Sequence, residues 1–323
     1  MRHAPRMAIT DTAASTLAAS RQEIIAALTA AEKRLSPMYL YDERGSQLFD
    51  EICTLPEYYA TRTELTLLGA NAAELAALVG PRAEIVELGA GSSLKARLLL
   101  ASLDEPASYM PVDISAEYLA EQAAEVAAAF PSVAVHPVSA DFTRPFALPR
   151  LLTRERTLVF FPGSTIGNLS RARSAALLAS LAERIGGALL LGVDLCHDPA
   201  VLHAAYNDAR GVTAAFNLNL LARMNRELDA DFDLDGFEHD AVYDAAQARI
   251  EMRLVSRREQ LVTVGGVAVP FRAGEHIVSE HSHKYFPQEL AAMARAAGWR
   301  MARSWSDDDE RFGVYYFRAS RAS

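Results

Sequence analysis

The sequence predicts an α/β protein, an open and mostly parallel sheet interleaved with helices, carrying a second, discontinuous α+β lobe. Three observations point there. Short apolar runs at 85–88, 109–113, 133–138, 157–161 and 188–194 alternate with stretches of helical spacing, the pattern of a parallel sheet. The first run stops at Gly89, Ala90 and Gly91 before helical spacing resumes at Leu94, a strand–turn–helix junction suited to a nucleotide. The flanking segments 1–61 and 196–283 follow a different order, helical first and strand-rich later.

Taken along the chain, residues 1–12 read as a loose tail, and 16–35 has helical periodicity that Ser36-Pro37 interrupts. Residues 41–52 suggest a turn feeding a short helix, 55–59 a loop, and 62–79 a helix. After the alternating region, 195–225 is mostly helical. The runs 250–255 and 260–264 read as strands flanking a turn, and Gly265-Gly266 marks a second turn before 267–271. A helix starts at Pro287 and runs to 297, and 299–305 with 313–318 form a closing antiparallel pair. This order implies a sheet domain of 62–195 plus 284–323 and a substrate-binding lobe of 1–61 plus 196–283 over the sheet's carboxyl edge, where open α/β sheets bind ligands.

With 323 residues, half of them apolar and 23% charged, the chain can build a sizeable core. A net charge of −9 argues against a nucleic-acid surface. No apolar span approaches the roughly 20 residues of a membrane helix. The start, Met1-Arg-His-Ala-Pro-Arg6, lacks the apolar stretch of a secretory signal, and Cys53 and Cys196 read as structural thiols, so a cytoplasmic protein is expected. Oligomeric state is not encoded in any recognisable pattern.

The glycine turn narrows the ligand. A dinucleotide fingerprint needs a small residue at position 94, where Leu94 stands, and the Gly-Lys-Ser/Thr ending of a phosphate loop is absent. The turn is expected to present bare backbone N–H groups. Asp113 ends the second strand, where a carboxylate reaches two ribose hydroxyls, and Asp141 with Phe142 ends the third, offering an acceptor and a ring face to adenine. Three such features at successive strand ends point to an adenosine-type cofactor. The remaining Glu87-x-Gly89-x-Gly91 pattern resembles the first motif of S-adenosylmethionine (SAM) methyltransferases, whose cofactor has no pyrophosphate.

Longer segments sharpen the resemblance. Leu55-Pro-Glu-Tyr-Tyr-Ala-Thr-Arg-Thr-Glu64, Phe161-Pro-Gly-Ser-Thr-Ile-Gly-Asn-Leu169, Tyr206 through Asn217, Asn225 through Asp235, Arg249-Ile-Glu-Met252 and Ser279-Glu-His-Ser282 closely resemble the histidine Nα-methyltransferases of ergothioneine biosynthesis, over nearly all of the chain from Ser36. Tryptophan methyltransferases and the methyltransferase domains of ovothiol synthases share parts of the pattern. The resemblance implies a Rossmann-like class I SAM-dependent methyltransferase sheet and trimethylation of L-histidine to hercynine, through its mono- and dimethyl forms. It implies that Tyr58 and Asn168 flank the amino group, that Tyr206 with Asn168 recognises the carboxylate, and that Thr213, Phe216 and Met252 line the pocket. Glu280 and Ser282 would bracket the imidazole; in a strand, i and i+2 share one side. Around SAM the resemblance places Tyr41, Gly89, Lys95, Asp113, Asp141, Phe142, Gly163 and Ser164, with Lys95 reaching the methionine carboxylate.

Two departures stand out. Pro162 precedes the Gly-Ser-Thr loop, and His276, His281 and His283 crowd the Glu-x-Ser region, with His197 and His203 elsewhere. Alternation turns His281 and His283 away from Glu280 and Ser282, so they read as solvated strand histidines, and no ligand pattern for a metal accompanies them. Two alternatives stay open: a tryptophan or other aromatic amino-acid Nα-methyltransferase, and a non-catalytic SAM-binding module.

Overall fold

The computed structural model describes residues 10–11, 20–148 and 153–320; most of the predicted tail and the first residues of the helix predicted at 16–35 lie outside them. The main sheet runs in the order Thr10–Asp11, Val138–Ser139, Ser108–Asp113, Glu84–Leu88, Thr157–Phe161, Ala188–Asp194, Phe312–Ala319, Trp299–Ser306, with Ala134–Val135 also pairing to Ser108–Asp113. Every pairing up to Ala188–Asp194 is parallel, and the last two strands run antiparallel. The five residues of Glu84–Leu88 and the seven of Ala188–Asp194 are all buried, because helices cover both faces of the sheet. Alternate side chains feed two cores. Ile85, Leu158, Phe160 and Leu190 join one, whereas Val86, Val159, Leu189 and Leu191 join the other.

A four-stranded sheet, Lys33–Arg34, His276–His283, Arg249–Ser256 and Phe237–Asp244, forms the second layer of structure. It meets the main sheet through the Thr165–Asn168 turn, which packs on both His276–His283 and Ala188–Asp194. Helix Val212–Glu227 packs on helix Glu43–Thr54, which begins where the Asp42 carboxylate accepts from Gly45 N at 2.7 Å.

Several predicted elements are corrected. The run 133–138 splits into Ala134–Val135 and Val138–Ser139, because Pro137 between them has no N–H to give the ladder. The helix predicted at 62–79 starts at Tyr59 and breaks at Asn71, whose side chain donates to Leu67 O at 2.8 Å. Within the described part of 16–35 the helix is Arg21–Thr29, and Lys33–Arg34 extends as a strand beside Ile277 and Val278. Gln260–Val264 pairs with Val267–Phe271 alone, so the turn before it joins no hairpin with Arg249–Ser256. Strand Phe237–Asp244 was absent from the sequence reading. Its Glu238, His239, Asp240 and Asp244 hide the period-2 signal of a half-exposed edge strand. Cys53 and Cys196 are free thiols, the second buried. Among the described residues no helix is long and apolar enough to cross a membrane.

Candidate functional site

At the carboxyl edge of the main sheet, Gly89 (φ 66°) and Gly91 (φ 46°) adopt the left-handed conformation that glycine tolerates. The turn's N–H groups are not bare, contrary to the sequence expectation. Gly89 N and Ala90 N donate to Val112 O at 2.9 and 3.3 Å, and Gly91 N donates to Asp113 Oδ2 at 3.1 Å. With its donors turned to the neighbouring strand, the turn makes no phosphate nest. What it offers is close approach: a Cβ at Gly89 would stand 3.4 Å from Thr165 Cγ2 and 3.5 Å from Phe142.

Asp113 Oδ1 accepts from Ser115 N at 3.0 Å. Burial pushes this carboxyl up while its backbone N–H partners pull it down, and each oxygen keeps acceptor capacity for a hydroxyl. Asp141 Oδ1 closes an Asx-type turn on Thr143 N (2.9 Å) and Thr143 Oγ1 (2.6 Å), and Phe142 packs edge-on against Phe161, 5.5 Å between centroids. A cavity of about 290 Å³ opens beside this edge, lined by Tyr39, Tyr41, Ile114, Ser115 and Arg223 among others. Glu87 lies beneath the turn, bonded by the Tyr109 hydroxyl; burial pushes it up to about 8.

Lys95 meets an acid that sequence reasoning missed. Its Nζ is 2.6 Å from Glu64 Oε2, and Glu64 also accepts from Gly163 N at 2.9 Å. Gly192 makes room for this carboxylate, since a Cβ there would collide with it. The Gly163 N–H is therefore engaged with Glu64. Ser164, left-handed at φ 57°, accepts from Asp194 N at 2.9 Å through Oγ. Pro162 closes strand Thr157–Phe161, and its carbonyl accepts from Thr165 Oγ1 at 3.0 Å.

An aromatic wall joins residues 41–58 to residues 206–216. Ring centroids lie 5.4 Å apart for Tyr41–Phe216, 6.0 Å for Phe49–Phe216, 6.1 Å for Phe49–Tyr58 and 6.3 Å for Tyr58–Tyr206. Phe49, on helix Glu43–Thr54, is a further member of this wall that no local sequence signal marks. Burial drives the Tyr41 and Tyr58 phenols well above their usual range, so both stay protonated.

Strand His276–His283 supplies the polar end. Met252 stands opposite Glu280 and Ile250 opposite Ser282, with a bulge at Ser279, whose hydroxyl donates to Met252 O. Gly167 lets the Thr165–Asn168 turn lie against this strand; a Cβ there would be 2.7 Å from His283 O. That approach brings Asn168 into place. Its Nδ2 donates to His281 O at 3.1 Å and its side chain also bonds Glu280. Burial pushes Glu280 up to about 7, against the opposing pull of Lys284 and Asn168. Thr213 is buried early in helix Val212–Glu227 and its N–H donates to Asp208 Oδ1 at 2.8 Å.

Lys284 and Asp194 also escaped the sequence reading. Lys284, fully buried, donates to Asp194 Oδ2 at 2.7 Å, Ser282 Oγ at 2.9 Å and the Tyr206 hydroxyl at 3.0 Å. The signal was present: Glu280, Ser282 and Lys284 continue one period-2 row. His281 and His283 occupy the opposite row but are buried, not solvated as expected. His281 Nε2 lies 3.2 Å from Glu251 Oε1, and burial with nearby arginines holds both rings down to about 4. Among the described residues no group of three or more His, Cys, Asp or Glu is placed to hold a metal ion.

The arrangement gathers aromatic rings, the Asn168 amide, the Tyr58 and Tyr206 phenols, the Glu280 carboxylate and the Ser282 hydroxyl into one cluster. It suits a small polar amine held beside an adenosine-bearing group. The model of the family described as "Histidine-specific methyltransferase, SAM-dependent" matches residues 20–319. The chain is similar to the histidine N-alpha-methyltransferases of Mycolicibacterium smegmatis (43% identity, 94% of this chain and 95% of that one) and Mycobacterium tuberculosis (43%, 92% and 94%). It is also 30% identical to ergothioneine biosynthesis protein 1 of Neurospora crassa, over 90% of this chain and 34% of that longer protein.

Proposed function

The chain belongs to the SAM-dependent, histidine-specific methyltransferases, and on that premise we propose that it converts L-histidine to hercynine by three methyl transfers to the α-amino nitrogen. It is a histidine methyltransferase of ergothioneine biosynthesis that uses SAM as methyl donor. The observation that carries the substrate assignment is the buried pair Glu280 and Ser282 on one face of a strand, with Asn168 bonded beside them.

SAM, when bound, supplies a methyl group activated by its sulfonium. The protein has to hold the amine neutral, aim its lone pair along the transfer axis and exclude water. Asn168 is oriented for this. With its Nδ2 hydrogens directed to His281 O and Glu280, its Oδ1 is the free end and accepts an amine N–H without protonating the nitrogen. Tyr58, protonated across the physiological range, holds the amine from the other side. Tyr206 takes the carboxylate, for which Asn168 has no N–H to spare once His281 O and Glu280 are served; Thr213, Phe216 and Met252 bound the volume. Glu280 accepts from a ring N–H and Ser282 completes the ring's bonding. A side chain without that N–H would leave Glu280 buried with acceptor capacity unfilled, at a cost of about 1–3 kcal/mol.

For the donor, Asp113 has acceptor capacity for ribose hydroxyls, Gly89 the close approach, and Asp141, Phe142 and Tyr41 the adenine side. Gly163 and Ser164 shape the loop facing it. Lys95 serves the methionine carboxylate with the N–H groups it does not give to Glu64. In this reading 62–195 plus 284–323 binds SAM and 1–61 plus 196–283 selects the amino acid.

Mass spectrometry of purified protein incubated with SAM and L-histidine, with L-tryptophan in parallel, tests the proposal. Three added methyl groups on histidine alone are expected. Methylated tryptophan without a histidine product would overturn the pocket assignment.

A further inference from the structure

Lys284 is an ammonium with no exposed surface, and its three N–H groups reach Asp194 Oδ2, Tyr206 OH and Ser282 Oγ at 2.7, 3.0 and 2.9 Å. It also lies 4.7 Å from the centre of the Tyr206 ring. An ammonium only donates, so both hydroxyls must accept from it. Each is left with one hydrogen to give. Tyr206 gives its hydrogen to Ser282 Oγ at 2.8 Å.

Building on the histidine pocket proposed above, we infer that Lys284, held by Asp194, is a positioning residue: it turns Tyr206 and Ser282 into donors toward the two ends of the substrate, so that histidine binds with a neutral ring whose bare nitrogen faces Ser282. A carboxylate arriving at Tyr206 takes the hydrogen that rests on Ser282. The Ser282 hydrogen cannot point at the ammonium and turns to the ring. Glu280 then accepts from the ring's one N–H while Ser282 donates to the other nitrogen. An imidazolium has two N–H groups and would meet a donor at Ser282. The nearby Lys284 charge opposes a second cation in the same way.

The surroundings keep this arrangement fixed near neutral pH. Asp194 is itself held by the Tyr59 hydroxyl at 2.6 Å and Cys196 N at 3.0 Å. Burial pushes Tyr59, Tyr206, Tyr243 and the Cys196 thiol up, and pushes His197 down, so all five are neutral. Burial opposes the charge on Lys284, but Asp194 and Tyr206 together outweigh it, so Lys284 keeps its proton. Glu280 is the remaining group that titrates there.

The test is nitrogen NMR of ring-labelled L-histidine bound to the wild-type protein with S-adenosylhomocysteine, near pH 6, where the free ring (pKa about 6.5) is mostly protonated. One protonated and one bare ring nitrogen are expected in the complex; two protonated nitrogens would overturn the inference. A second arm uses the double variant Lys284→Met/Asp194→Asn, which removes both charges and leaves neither buried alone. Its KM for histidine should rise roughly 10- to 100-fold with S-adenosylhomocysteine affinity unchanged, and the bound ring should lose its neutral preference. An unchanged KM with a still-neutral ring would reduce Lys284 to a structural clasp. If the double variant does not fold, the wild-type spectrum decides alone. Histidine methylated with a doubly protonated bound ring defeats this inference only, whereas a protein that neither binds nor methylates histidine defeats the substrate reading beneath it.

Discussion

Glu280 and Glu251 lie on adjacent strands, one residue out of register, and their surroundings could hardly differ more. Glu251 is bonded by Arg249 at 2.5 Å and Arg253 at 2.8 Å, which hold its carboxyl down to about 2. Glu280 has Asn168 as its direct partner and a cation only at longer range, and burial lifts it to about 7. One carboxylate has its bonding complete within the protein. The other has a single neutral partner, and a buried acid so sparsely bonded within its own protein is the candidate for a binding group.

Three experiments probe that contrast, in descending order of expected effect. Glu280→Ala should lower kcat/KM for histidine by roughly 100-fold, since the ring N–H loses its buried carboxyl partner, while leaving SAM affinity nearly unchanged. Equal losses in both would remove Glu280 from the ring. Glu251→Ala should do the reverse, destabilising the fold by about 1–3 kcal/mol in denaturant titration with kcat/KM for histidine retained. A large activity loss at full stability would erase the distinction.

The smallest effect is in the pH dependence of stability, where the two acids carry opposite signs. Glu280 is raised from an unfolded value of about 4.3, so the native state holds a proton that the unfolded chain has released, and stability falls as pH rises from about 4.3 to about 7. Glu251 is depressed, so its contribution is present above about 4.3 and is lost as pH falls toward about 2. Thermal melts across pH 2–8 should show Glu280→Gln flattening the upper window and Glu251→Gln the lower. A Glu280→Gln variant that keeps the wild-type slope between about pH 4.3 and 7 would contradict the assigned environment.

What the sequence disclosed follows the range of the interactions involved. Continuous apolar runs such as Thr157–Phe161 and Ala188–Asp194 are local signals, and their strands appear where periodicity puts them. The period-2 row through Glu280 and Ser282 was equally local. Pairing was less legible: nothing in Gln260–Val264 says that it joins Val267–Phe271 and leaves Arg249–Ser256 to Phe237–Asp244. The site's polar partners were least legible of all. Glu64 joins Gly163 across 99 residues of chain, and Lys284 joins Asp194 across 90, contacts that only the assembled sheet brings together. The glycine turn was located correctly but its donors were misjudged, because the carbonyl of Val112 and the carboxylate of Asp113 that take them belong to the neighbouring strand.

The most direct test of the pocket is a competition in one tube, with L-histidine and L-tryptophan at equal concentration and SAM in excess, comparing wild type with Glu280→Ala by mass spectrometry. The wild type should methylate histidine almost exclusively, and the variant's preference should collapse toward parity. A preference for histidine that survives unchanged in Glu280→Ala would show that the ring is read elsewhere.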